Sequence, residues 1–174
     1  VADRERLLGH LEGGGRAILK EPSALLTRSP KVPGLDGRKM SKSYGNTIGL
    51  REDPDSVAKK LRAMQTDPAR VRRSDPGDPD KCPVWDLHKI YSSEQTKSWV
   101  QSGCRSASIG CLECKKPLID SVVVEIEAIR KRAREFEESP EVVSNVVAEG
   151  CERAREAARV TMSDVRAAIG LEYR

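Results

Sequence analysis

The chain has 174 residues, enough for one good-sized domain or a small domain with an appendage. Charged residues make up 33% and hydrophobic ones 37%, with one Phe, three Tyr and two Trp, which suits a solvated helical fold and argues against a β-sandwich. The formal charge of +4 permits a nucleic-acid partner without requiring one. With no run of 18 apolar residues and no apolar leader, the expectation is a soluble, cytoplasmic chain without a membrane partner.

The first 33 residues begin abruptly. In "VADRERLLGHLEGGGRAIL" a polar start meets Gly13 to Gly15, which interrupt any helix, and Pro22, Pro30 and Pro33 then punctuate a connection. This segment reads as the trailing edge of a domain lying upstream. Next comes "DGRKMSKSYGNTI", residues 36 to 48, too polar for a core. Small residues let backbone amides approach an anion, and Lys39 and Lys42 add mobile point charges. Those lysines can grip a polyphosphate, with most value where charge grows on a leaving pyrophosphate. Ser41 and Ser43 can donate further hydrogen bonds, and Gly45 leaves the loop free to close. A plain solvated basic turn is the competing reading.

From Asp53 the signals turn helical. Asp53 caps, Pro54 takes the first position, and Val57, Leu61 and Met64 follow at helical spacing. The proline-rich "TDPARVRRSDPGDPDKCP" predicts a loop carrying Arg70, Arg72 and Arg73. Short helices are predicted around Trp85 to Tyr91 and from Ser93 to Gly103. Further on, Ile119, Val122, Val123, Ile126, Ile129, Ala133 and Phe136 trace one apolar face. Ser139 and Pro140 open another helix, whose Val142, Val143, Val146, Val147, Cys151, Ala154 and Ala158 predict a buried stripe. A separate short helix is expected to hold Val165 and Ile169 before Gly170.

Four of the five cysteines form Cys82-x21-Cys104-x6-Cys111-x2-Cys114, whose Cys-x2-Cys turn would place two sulfurs on one ion, with Gly103 and Gly110 easing the backbone beside them. Thiolates at these spacings suit tetrahedral zinc or a cubane iron–sulfur cluster, zinc slightly ahead on spacing alone, with plain buried thiols the simpler alternative. Cys151 reads as a core residue. His88, in "WDLHKIY", carries a ligand-capable ring but reads more simply as part of a helix packed beside that site. Arg130, Lys131, Arg132 and Arg134 on one helix, with Arg70, Arg72 and Arg73, can line phosphates. Glu125, Glu127, Glu135, Glu137 and Glu138 alternate with the helical cations and predict ordinary ion pairs.

K-M-S-K-S resembles the second signature of class I aminoacyl-tRNA synthetases at all five positions. The wider context, "SPKVPGLDGRKMSKSYGNTI", "TDPARVRRSDPGDP", "CPVWDLHKIYS", "GCLECKKPL" and "EGCERAREAARVTMSDVRAAIGL", resembles bacterial-type tryptophanyl-tRNA synthetases over roughly residues 22 to 174. The resemblance implies a mainly α fold. Residues 1–50 would be the remnant of a Rossmann-type catalytic domain with its K-M-S-K-S loop, and residues 51–174 a helical anticodon-binding domain. It implies ATP with Mg2+, attack of the tryptophan carboxylate on the α-phosphate to give an adenylate, and transfer to the tRNA 3′ end. Lys42 would contact the pyrophosphate and Lys39 support it; Met40 would lie near the adenine and Ser41 and Ser43 belong to the ATP site. Some such synthetases hold a [4Fe–4S] cluster on Cys-x22-Cys-x6-Cys-x2-Cys, one residue longer than the first gap here, which implies Cys82, Cys104, Cys111 and Cys114 as ligands, with zinc the alternative. Tryptophan tRNA is the implied partner, with Arg130, Lys131 and Arg134 as tRNA contacts.

Departures from the pattern are equally plain. The G-x-D-Q-x-x-H-x-E segment is matched only by His10, Glu12, Arg16 and Ile18, with Arg6 and Leu7 in place of Asp-Gln. The H-I-G-H signature occurs nowhere in the chain. The expectation is a C-terminal portion, inactive alone and monomeric, of an enzyme that dimerises when whole and binds tryptophan through the half not present. A metal-stabilised RNA-binding module without catalysis is the main alternative, and a helical interaction protein with a vestigial loop a third.

Overall fold

A computed structural model describes residues 18–20, 22–27 and 29–171. The positions of Arg6, Leu7, His10, Glu12, Gly13 to Gly15 and Arg16 lie outside the described residues. Among the described residues five helices carry the fold: α1 (Pro54–Ala63), α2 (Pro83–Tyr91), α3 (Glu94–Arg105), α4 (Cys111–Glu137) and α5 (Pro140–Ala168). Single 3-10 turns occupy Lys42–Tyr44 and Pro79–Lys81. Among the described residues the only β pairing is one bridge between Pro33 and Lys39.

The chain divides into two compact units, one of residues 26–135 and one of residues 1–25 with 136–174. The first unit is built around α1, α2 and α4. Asp53 starts α1 as expected, its carboxylate accepting from the backbone N–H groups of Asp55 and Ser56, with Pro54 at the first position. Val57, Leu61 and Met64 then fall on one face and meet Val84 and Leu87 of α2 and Leu118, Ile119, Val122 and Ile126 of α4. Val32, Leu35 and Ile48 pack onto the same core, as do Cys82 and Cys114. Helix α3 is capped by Ser93, which accepts from Thr96 N–H, and it runs two residues past Gly103. Gly103 is tight against Ile109: a β-carbon there would sit 2.9 Å from three Ile109 atoms.

Three expectations need correction. Cys111 and Cys114 do not sit on a ligand-presenting turn but within the first turn of α4, which begins at Cys111 and also contains Pro117. Pro117 is the seventh residue of α4 and has no N–H to give Glu113 O, so the helix forgoes one internal hydrogen bond there. The predicted closing helix is not separate, since α5 continues through Val165 to Ala168. Nothing between Cys151 and Ala168 breaks a helix, and the stop comes at Gly170, left-handed at φ 72, with Leu171 N–H bonding Arg166 O at 2.9 Å.

The third correction concerns burial. No residue of α5 is buried: Val142 is 42% exposed and Val147 57%, and Cys151 is exposed as well. Phe136, at the end of the predicted α4 stripe, is also exposed. Helical periodicity shows that a face is apolar. It does not show what covers it.

Candidate functional site

The polar loop is a built structure rather than a solvated turn. Its two limbs are stitched by backbone bonds: Met40 N–H to Val32 O at 2.9 Å, Gly34 N–H to Arg38 O at 2.6 Å, and Leu35 N–H to Asn46 O at 3.0 Å. Asn46, only 3% exposed, is the internal brace. Its Oδ1 accepts from Ser41 N–H at 2.8 Å, and its Nδ2 donates to Asp36 Oδ1 at 2.7 Å and to Lys39 O at 3.3 Å. That bond from Asn46, followed by those from Arg38, holds the Asp36 carboxyl below the usual carboxylate range.

This brace sets the K-M-S-K-S run. Ser41 and Ser43 share a hydroxyl–hydroxyl bond at 2.8 Å, and Lys42 begins a single 3-10 turn that ends at Gly45 in the left-handed region, φ 64. Lys39, Lys42 and Ser43 are exposed, Met40 and Ser41 half-buried. Arg38 lies over the Tyr44 ring at 4.4 Å and pairs with Asp36 at 2.7 Å. The loop is fastened to α1 from outside as well, through Gln65 N–H to Leu35 O at 3.0 Å and Lys60 Nζ to Thr47 O at 3.2 Å. Asn46 and Asp36 carried no signal in the motif itself, because their work is done across the loop rather than along it.

The four cysteines of the spacing pattern lie near one another in the fold. Cys82, Cys104, Cys111 and Cys114 are all half-buried free thiols. Burial and then the charges of the other three push the Cys114 thiol up to about 12. Burial likewise raises Cys82 and Cys104, each also feeling charge from other members of the set. Three of the sulfurs meet N–H groups and the fourth a histidine ring nitrogen. Cys82 faces the backbone N–H groups of Val84, Asp67 and Trp85; Cys104 and Cys111 face Arg70 Nη1 at 4.0 and 3.9 Å; Cys114 faces His88 Nε2 at 3.5 Å. Among the described residues, no three His, Cys, Asp or Glu side chains close on a common point as a single ion requires.

Arg70 belongs to this site and not to a phosphate surface, contrary to the expectation from its loop. It is 9% exposed, and its Nη2 donates to Arg73 O and Ile109 O, both at 2.8 Å. Its Nε is buried without a partner among the described residues. Gly77 leaves room beside it, since a β-carbon there would lie 2.7 Å from Cys104 Sγ and 3.1 Å from Arg70 Cδ. Arg72 and Arg73 remain exposed, Arg73 paired with Glu113 at 3.1 Å. Next to Cys114, Lys115 is buried, 4% exposed, and its Nζ caps the end of α1 by donating to Arg62 O at 2.7 Å and Met64 O at 2.5 Å. Burial lowers its pKa.

Arg130, Lys131 and Arg134 line a shallow surface hollow on α4 with Glu127 and Ala128. The expected ion pairs with Glu125, Glu127 and Glu135 do not form: among the described residues no salt bridge joins these acids to Arg130, Lys131, Arg132 or Arg134. Lys131, Arg132 and Arg134 are exposed and Arg130 half-buried, and long exposed side chains gain little from an ion pair.

The chain is 56% identical over 173 residues to a tryptophan–tRNA ligase of Ralstonia nicotianae, covering 99% of this chain and 43% of that protein. It is 47% identical to the tryptophan–tRNA ligase of Thermotoga maritima over 90% of this chain and 48% of that one. A crystal structure of tryptophanyl-tRNA synthetase from Campylobacter jejuni complexed with ADP and tryptophan superposes with a TM-score of 0.71 at 25% identity, covering 96% of this chain and 52% of that one. The chain thus spans about half the length of the relatives it matches. Residues 5–125 match the family described as tRNA synthetases class I (W and Y), and the chain belongs to that family.

Proposed function

We propose that this chain is the part of a tryptophan–tRNA ligase that handles pyrophosphate and meets the tRNA. The observation that carries the reading is the 56% identity to a tryptophan–tRNA ligase across 99% of the chain. In this reading residues 1–50 end the catalytic domain and residues 51–174 form the helical anticodon-binding domain. The substrates of the whole enzyme are ATP with Mg2+, tryptophan and its tRNA, and the whole enzyme is a cytoplasmic homodimer.

Lys42 neutralises charge growing on the pyrophosphate as the tryptophan carboxylate attacks the α-phosphate, and Lys39 supports it from three residues earlier in the loop. Ser41 and Ser43 donate to phosphate oxygens, and Met40 lies against the adenine. An exposed lysine on a loop braced by Asn46 suits this work, because positioning and charge stabilisation carry the reaction and no general base is needed. Arg130, Lys131 and Arg134 are offered to tRNA phosphates, and the absence of a salt bridge from them to any acid among the described residues supports that.

Cys82, Cys104, Cys111 and Cys114 hold a [4Fe–4S] cluster. The donor set fits: four thiols within each other's field, N–H groups turned toward them, an arginine with an orphaned Nε, and a glycine where a β-carbon would strike Cys104. A cubane takes one cysteine at each of four separated corners and so makes no demand that three thiols meet at one point, whereas a single zinc ion does. When bound, such a cluster supplies an anionic, redox-capable cross-link between α2, α3 and α4.

The test is binding and exchange on the chain as it stands. Tryptophan tRNA transcripts should bind it, altered anticodons should bind at least about tenfold more weakly, and tryptophan-dependent pyrophosphate exchange should be silent. Equal affinity for altered anticodons overturns the anticodon assignment. Clear exchange overturns the division of labour.

A further inference from the structure

We propose that His88 is a positioning residue for the cysteine site, donating its Nε2–H to the Cys114 sulfur in a tautomer fixed by Ser92. The proposal rests on the reading of the four cysteines as ligands. His88 is completely buried, between Leu87 and the end of α2, and each ring nitrogen has one side-chain neighbour. Nδ1 lies 2.7 Å from Ser92 Oγ, one helical turn on, and Nε2 lies 3.5 Å from Cys114 Sγ, 26 residues away on α4.

The chemistry fixes the direction of both bonds. A ligating cysteine is a thiolate with no proton to give, so Nε2 must be the donor. Nδ1 then carries a lone pair, and Ser92, 8% exposed and with no other side-chain partner among the described residues, supplies the O–H. A histidine used simply as filling would leave a buried ring in an apolar core, where a leucine would serve without polar groups to satisfy. The donors also divide among the sulfurs without overlap: backbone N–H groups for Cys82, Arg70 for Cys104 and Cys111, His88 for Cys114. A hydrogen bond to a ligating sulfur draws charge off it, which raises the reduction potential of the group held and slows its loss.

The experiment loads the chain anaerobically with ferrous iron and sulfide, for the native sequence and for His88→Leu, His88→Gln and Ser92→Ala. Loading is read from the sulfur-to-iron charge-transfer absorption, the potential by redox titration, and cluster loss by the rate of iron release to a chelator. The expected result is a lower potential for His88→Leu with iron release about 10–100-fold faster, recovery in His88→Gln, whose amide N–H reaches the same sulfur, and a smaller fall in potential for Ser92→Ala. If His88→Leu does not fold, the Ser92→Ala shift decides alone. Native chain that loads a cluster while the variants keep its potential overturns the role of His88 and leaves the ligand reading intact. Native chain that takes up no cluster overturns both.

Discussion

Gly34 and Asn46 occupy the same small space: a β-carbon at position 34 would stand 2.2 Å from Asn46 Nδ2 and 2.3 Å from its Cγ. The glycine is what lets a buried asparagine reach Ser41, Asp36 and Lys39 at once. Gly34→Ala is therefore expected to expel the asparagine and Asn46→Ala to leave the Ser41 N–H unpaired. Each should cost about 1–3 kcal/mol in urea unfolding, with faster proteolytic cutting between residues 36 and 48. Unchanged cutting in Asn46→Ala would show that the brace does not hold the loop.

Lys42 is best tested in a chimera in which this chain replaces the matching 43% of the Ralstonia nicotianae ligase. The chimera should exchange pyrophosphate. Lys42→Ala in it is expected to lower the exchange rate about 10²–10³-fold, the scale of losing one transition-state charge contact, while tryptophan binding stays constant. A fall in tryptophan affinity of similar size would assign Lys42 to substrate binding instead.

His88 predicts a pH dependence with a definite sign. Its folded pKa, about 4, lies below the ordinary 6.5, so the unfolded chain takes up the proton first. Stability is complete above about 6.5 and is lost as pH falls toward 4, by up to roughly 3 kcal/mol for a group this buried. Asp67 adds a separate loss at lower pH, since N–H bonds from Asp78 and Ala69 depress its carboxyl. Urea midpoints between pH 4 and 7 should show a slope in the native chain that His88→Gln flattens.

Arg70→Lys looks conservative and should not be. A lysine cannot span Arg73 O, Ile109 O and two sulfurs from one planar group. The expected loss is about 1–3 kcal/mol in chemical denaturation for the orphaned carbonyls. Equal stability would mean that the fork contributes nothing beyond its charge.

Helix α1 shows what local chemistry can announce: an Asp cap, a proline at the first position and apolar residues at spacings of four and three all agreed with what formed. The K-M-S-K-S run and the cysteine spacing were equally visible, since both are patterns in one dimension. Arg70 was not. Among prolines and two other arginines it looked like surface, and only the fold brings it to sulfurs 34 and 41 residues away. Asn46 failed to stand out for the same reason, its partners lying across the loop. On α5 the pattern was read correctly as apolar and wrongly as covered, because periodicity contains no term for a missing neighbour.

The shared core under the loop and the cysteines has a consequence for recombining these enzymes. Val32 and Ile48 on one side and Cys82 and Cys114 on the other touch the same buried cluster, while Lys60 and Gln65 reach back to Thr47 and Leu35. A crossover placed after residue 50 would sever all of these ties at once. The K-M-S-K-S loop and the four-cysteine site therefore rest on one core, and an exchange of either between relatives is expected to keep that core only when the other goes with it.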